Sequence, residues 1–463
     1  MNGHRPPRTA LPYVLVFCVT LLTVGNVLPV GSSSPPWTGR LKVGDRVFED
    51  DAGEPVLPLC AHFAEAFSAW VRRPAAVEEQ LRTIKAADYD CIRFWDNLGE
   101  YSDAWRGKEI SPFAWTNADG VRIRPTAEYY DKLERFLQRV DQIGLRVHHS
   151  RGDLGRGRPA IPLEHVVQHS TRVGAIYDKI GWHVLAMYEA NNEDFQNGNF
   201  GPSGLLRIVE PLKMRHAIVA SSCPKTCSEQ PADVLAYSQN FSVRYYHGQR
   251  HGDAVDRLAR KFATGYQSPE GAPYLGWDGE PIGPNVNAGP GVTVNSTEDV
   301  EELVLLHAMT FVGGRSASTY MSQYGVFWNG PIHQQPGFVA TPRIRAALRQ
   351  FAPDIMRWRL YHGGRREAAF RSPNGYMGDA GVTHGPARMD QAVSHDRRRV
   401  VALMYGGRPP KRFRNDLGCR STVTAVHADN GEQLRAIEFE LERGEIKQLE
   451  YRIGRLLLGR CNN

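Results

Sequence analysis

The 463-residue sequence has no sustained run of lysine or arginine; its 56 basic and 50 acidic residues are spread along the chain, giving a formal net charge of +6. A nucleic-acid surface needs clustered cations, so that class of partner is set aside. Beyond the N-terminus no stretch reaches the roughly 18 apolar residues of a membrane-spanning helix, and the remainder is expected to be soluble. No HxH or HExxH spacing accompanies His148, His149 and Asp153, so a metallohydrolase is not supported and neither metal nor organic cofactor is expected. Internal repeats and low-complexity tracts are also missing. Cysteine is scarce at seven residues.

What is present fits a large, exported globular chain. With 41% hydrophobic residues it can bury an extensive core. The basic start (His4, Arg5, Arg8), the apolar stretch from Leu11 to about Val24 and the polar Gly31-Ser32-Ser33-Ser34-Pro35-Pro36 have the layout of a secretory signal or an uncleaved signal anchor. Residues 1–31 are assigned to it and 32–40 to a linker. The expected location is secreted, periplasmic or extracellular, with the N-terminal segment as a membrane tether if it is retained. Removing Cys18 leaves six cysteines. Cys223 and Cys227 are spaced to close a small loop, Cys419 and Cys461 to staple the C-terminal region, and Cys60 and Cys91 read as buried thiols in neighbouring strands. The sequons at Asn240 and Asn295 matter only in a host that glycosylates.

Periodicity organises the chain into strands alternating with helices. Leu41 to Pro55 reads as a hairpin plugging one end of a barrel. Strands follow at Val56–Cys60, Cys91–Trp95, Leu145–His149, Trp182–Glu189, Ala217–Ser221, Phe241–Tyr246, near Trp277 and at Ser316–Tyr320. Amphipathic helices fall at about Arg73–Ala87, Tyr129–Ile143, Leu163–Ile180, Glu298–Val312 and Arg343–Trp358, with Gly144 as a helix stop. Eight such alternations predict an α/β fold, a (β/α)8 TIM barrel over residues 41–360. Past about Tyr361, short alternating runs predict a small antiparallel β-sandwich over 361–463 that shields one side of the barrel. The chain is expected to be a monomer.

Two carboxylates stand just past apolar strands. Glu193 follows Tyr188-Glu189-Ala190-Asn191-Asn192, and Glu280 lies in Trp277-Asp278-Gly279-Glu280-Pro281. They are 87 residues apart, a spacing of three βα units of about 29 residues, which puts both at the C-terminal mouth where barrels hold catalytic groups. A carboxyl pair about 5 Å apart equips a retaining glycosidase. Glu189 and Asp278 compete for the same roles, since a shift of register exchanges them.

Asn192-Glu193 after an apolar strand resembles the strand-four signature of the clan A retaining glycoside hydrolases, which include the family 5 cellulases and mannanases. The resemblance implies that Glu193 is the acid/base and Glu280 the nucleophile. It implies that Arg93 keeps the nucleophile ionised, that Asn192 bonds the sugar 2-hydroxyl, and that Tyr246-His247 orients the nucleophile. It also implies an aromatic sugar platform at Tyr320 or Trp328. Trp95 and Trp277 are expected to line the sugar cleft with Trp105, Trp115 and Phe195. One of His148 and His149 faces the mouth by alternation, and His149 is taken as the substrate contact. Asp194 stands where the clan commonly has Pro; it either raises the pKa of Glu193 or points to solvent. The substrate is therefore expected to be a carbohydrate with β-glycosidic bonds. Transglycosylation by the same residues and non-catalytic glycan binding on the same fold are the alternatives.

Overall fold

The structure is a computed structural model, which describes residues 36–44, 47–99, 107–117, 120–152, 161–192, 194, 198–220, 236–239, 275–278, 308, 311, 317–320, 331–335, 337–361, 368–371, 388–405, 411–429, 433–449 and 455–462. Eight parallel strands form one sheet: β1 Leu59–His62, β2 Cys91–Trp95, β3 Arg146–Ser150, β4 Leu185–Glu189, β5 Val219–Ala220, β6 Ala236–Gln239, β7 Leu275–Asp278 and β8 Ala317–Tyr320. Their order across the sheet is β5-β4-β3-β2-β1-β8-β7-β6, so β1 lies between β2 and β8. That cyclic order is the strand order of a (β/α)8 barrel.

Near-continuous apolar strands with helices beside them explain the sheet. Every residue of β2, β3 and β4 is buried, as expected for parallel strands covered on both faces. The covering helices are α1 Pro74–Ala86, α2 Tyr129–Ile143, α3 Leu163–Ile180, α4 Gly201–Lys213 and α5 Ala340–Phe351. Their inward stripes, such as Val77, Leu81 and Ile84 of α1 and Leu133, Phe136, Leu137 and Val140 of α2, join a core with Ile92, Phe94, Val147 and Leu185 of the strands. Gly144 caps α2 in the left-handed region (φ +85°), which a side chain would resist.

Several expected boundaries move. The first barrel strand begins at Leu59 rather than Val56, because Val56 instead pairs antiparallel with Phe48. The plug is thus three-stranded: Lys42–Val43, Phe48–Glu49 and Pro55–Val56. Its Phe48 packs with Trp37, Leu41, Ala186, Met187 and Ile218. The sixth strand of the sheet is described at Ala236–Gln239, and the expected strand at 241–246 lies outside the described residues. Helix α4 has no counterpart in the sequence reading, although Leu205, Ile208, Val209 and Leu212 recur at helical spacing and all are buried.

C-terminal to α5 the chain forms two antiparallel sheets. The six-stranded one comprises Arg359–Tyr361, Arg388–Val393, Arg399–Tyr405, Arg455–Cys461, Ser421–Asp429 and Gln433–Leu441; the three-stranded one comprises Phe370–Arg371, Lys411–Asn415 and Ile446–Leu449. Phe370, Phe413 and Leu449 of the smaller sheet share one buried cluster with Val400, Ala402, Val423 and Leu457 of the larger. Cys419 and Cys461 are disulfide-bonded, as their placement suggested. Cys60 and Cys91 are also a disulfide rather than buried thiols: they are register partners on β1 and β2 with Cα atoms 4.3 Å apart. Cys223 and Cys227 lie outside the described residues.

Candidate active site

The C-terminal ends of β1 to β4 carry a continuous polar cluster. Alternation along β2 turns Phe94 outward onto Phe136 of α2 and leaves Arg93 on the inner side. Arg93 is fully buried. Its Nε and Nη2 donate to Glu189 Oε2 at 3.1 and 2.8 Å, and Nη2 also donates to Asn192 Oδ1 at 2.7 Å. His148 Nε2 lies 3.1 Å from the same Glu189 oxygen, and His62 Nδ1 lies 3.3 Å from Arg93 Nη1. A buried guanidinium and carboxylate offset each other's desolvation when bonded this closely. Since Arg93 can only donate, it fixes the Asn192 amide with its oxygen toward Arg93 and its NH2 on the other side.

The second histidine of β3 points the other way. His149 Nε2 is 2.9 Å from Asp96 Oδ2 and its Nδ1 is 2.9 Å from the Tyr177 hydroxyl of α3. His169 of α3 bonds the same Asp96 oxygen at 2.7 Å. The expected substrate contact at His149 is therefore corrected: both its ring nitrogens are engaged in the layer between sheet and helices, and His148 is the inward one. Burial pushes Asp96 up, but the two imidazoles outweigh it and hold its carboxyl below the usual range.

Burial also depresses His62, His148 and His149, taking His148 down to about 4 against the opposing hydrogen bond that its Nε2 makes to the Glu189 carboxylate. An unfolded chain takes protons at these imidazoles near pH 6.5, and the folded chain refuses them. Stability from His148 is thus complete above about pH 6.5 and is lost as pH falls through about 4, and His62 and His149 act in the same direction. The urea midpoint is expected to drop between pH 7.5 and 4.5, and to drop less in His148→Gln. A midpoint unchanged across that range contradicts the neutral assignment.

No protein-family model matches the sequence, and no curated protein matches it. Solved structures do. A glycoside hydrolase structure matches with a TM-score of 0.60 at 12% identity, covering 93% of this chain and 99% of that one. A glycoside hydrolase family 5 structure from Bacteroides vulgatus ATCC 8482 matches with a TM-score of 0.59 at 11% identity, covering 93% and 95%. This chain has the fold of these glycoside hydrolases.

On that glycoside hydrolase fold, the residues expected at the site fall into three groups. Arg93, Asn192 and Trp95 are brought together: Trp95 is 2% exposed, and its ring stands edge-on to His62 at 5.9 Å. Gly152 keeps this corner closed, since a Cβ there would meet Asn97 O at 2.1 Å and Trp95 Cβ at 2.7 Å. Tyr320 is placed elsewhere. Instead of offering an exposed platform, its ring is buried against Tyr89 and Phe338. Trp115 is likewise buried, donating Nε1–H to Ser111 Oγ at 3.1 Å. Glu193, Glu280, Tyr246, His247, Trp328, Trp105 and Phe195 lie outside the described residues, and of Trp277 only the strand is described.

Asp194 does not point to solvent. Its carboxylate is buried and accepts from Asn191 Nδ2 at 3.0 Å, Gly201 N at 2.9 Å and Phe200 N at 3.2 Å, which ties the loop after β4 to the start of α4. Burial raises its pKa, opposed by these donors. The sequence reading missed His62 and Glu189's partnership with Arg93, because nothing local marks residues that meet only across strands. Among the described residues, no group of three or more His, Cys, Asp or Glu is arranged to hold a metal.

Proposed function

We propose that the chain is an exported retaining glycosidase that cleaves β-glycosidic bonds of an oligo- or polysaccharide by double displacement. Glu280 attacks the anomeric carbon while Glu193 protonates the departing oxygen; Glu193 then takes a proton from the water that releases the sugar. The observation that carries this reading is the Arg93–Asn192 bond: Asn192, immediately before Glu193, is buried and held at the end of β4 by an arginine that is itself held by Glu189. A fixed amide beside the acid/base supplies the 2-hydroxyl contact that strengthens in the transition state. The glycoside hydrolase fold supports the substrate class. The two disulfides support an oxidising compartment. The paired C-terminal sheets form a β-sandwich that shields the barrel.

Product release from β-glucans, mannans, xylans, galactans and aryl β-glycosides tests the reading, with the first-formed anomer followed by NMR. The expected result is hydrolysis of one class with the β-anomer released first. Release of the α-anomer first overturns the double displacement. Binding without cleavage across the panel favours a glycan-binding protein.

A further inference from the structure

The side chain that the glycosidase reading leaves without a task is His62, the last residue of β1. It lies opposite Arg93 in register and is 5% exposed. Its tautomer is fixed by its neighbour. Arg93 Nη1, 3.3 Å away, has only hydrogens to offer, so Nδ1 accepts and the ring proton resides on Nε2. Burial first, and the Arg93 charge second, keep the ring neutral. The ring is confined on one edge by Trp95, while Arg93 is anchored in turn by two bonds to Glu189. A ring flip would set a carbon against the guanidinium, so the arrangement holds one orientation.

The other nitrogen has no counterpart. Nε2 of His62 is buried and has no hydrogen-bond partner among the described residues. Buried donors are nearly always satisfied, so an oriented one at the strand ends beside the buried Trp95 points to an acceptor that the described residues do not supply. A neutral N–H suits a neutral oxygen; Arg93, the nearby cation, already holds a carboxylate, so the corner has no excess charge to draw an acidic group.

We propose that His62 is a substrate-specificity residue, donating Nε2–H to a hydroxyl of the sugar unit seated at the ends of β1 and β2. This rests on the glycosidase reading and adds to it a contact from strand one.

Two substitutions separate the nitrogens. His62→Asn keeps an acceptor near the Nδ1 position for Arg93 and lacks the distal donor; His62→Gln reaches the distal position with an amide N–H. On the substrate the wild type cleaves, kcat/KM is expected to fall about tenfold or more in His62→Asn and to stay within about threefold in His62→Gln. A role only in bracing Arg93 gives the reverse ranking and overturns the proposal. Monodeoxy substrates supply the second readout. Removing one particular hydroxyl is expected to cost the wild type about as much as His62→Asn does, and to cost that variant nothing further. Additive losses at every hydroxyl overturn the contact while leaving the glycosidase reading intact. Should His62→Asn fail to fold, the same series on His62→Gln decides: sensitivity to the same hydroxyl supports the donor, and its loss overturns it. A wild type that neither cleaves nor binds any saccharide overturns both readings together.

Discussion

Glu280→Ala is expected to lose on the order of 10⁴-fold or more in kcat, because the proposed double displacement cannot form its glycosyl intermediate without this carboxylate. Glu193→Ala is expected to behave differently. General acid catalysis contributes about 10²- to 10⁴-fold, and that contribution matters only where the leaving group needs a proton. On an aryl glycoside with an acidic phenol the first step should survive in Glu193→Ala, and on a natural saccharide it should not. Azide separates the roles further: it should restore turnover in both variants, yielding an α-glycosyl azide from Glu280→Ala and a β-glycosyl azide from Glu193→Ala. The two anomers found the other way round would exchange the assignments. Glu280→Ala that hydrolyses as fast as wild type would remove Glu280 from the chemistry, and Asp278 would take its place as the candidate.

Glu189→Ala is expected to destabilise the fold by about 3–5 kcal/mol, since it leaves the guanidinium of Arg93 buried without this carboxylate. The same change releases Asn192, so kcat/KM should fall as well. The double variant Arg93→Met/Glu189→Met is expected to recover part of the stability and none of the activity, because replacing both members of a buried pair removes the stranded charge while the Asn192 contact remains lost. Urea unfolding of Arg93→Met, Glu189→Met and the double variant beside the wild type measures the coupling. Additive losses in the double variant would mean that the pair contributes no interaction of its own, and the Arg93–Glu189 account of the site would fail. Glu189→Ala with wild-type activity would detach Glu189 from Asn192 positioning.

Much of this was legible before any coordinates. The apolar runs at Cys91–Trp95 and Leu185–Glu189 could be read as covered parallel strands because nothing polar interrupts them except residues that later proved paired. Helix α2 was visible from Tyr130, Leu133, Phe136, Leu137 and Val140, with Gly144 as its stop. Helix α4 was missed because Pro202 and Pro211 obscure a short apolar stripe. Arg93 and Asn192 were legible as candidate site residues through the resemblance of their motifs to the clan A pattern. Their mutual bond was not, and neither was the disulfide between Cys60 and Cys91.

The division has a physical cause. Periodicity and strand-end position are properties of consecutive residues, so the alternation of strands and helices, the mouth of the barrel and the candidate carboxylates follow from the sequence alone. Which way a pair of adjacent histidines divides is settled only by what stands across from each. His148 meets Glu189 from the next strand and turns inward; His149 meets Asp96 and Tyr177 and turns out. The same holds for Glu189, an apparent rival of Glu193 in one dimension and a partner of Arg93 in three. Buried charges choose partners by distance through the fold, and that distance exists only once strands that are 96 residues apart lie side by side.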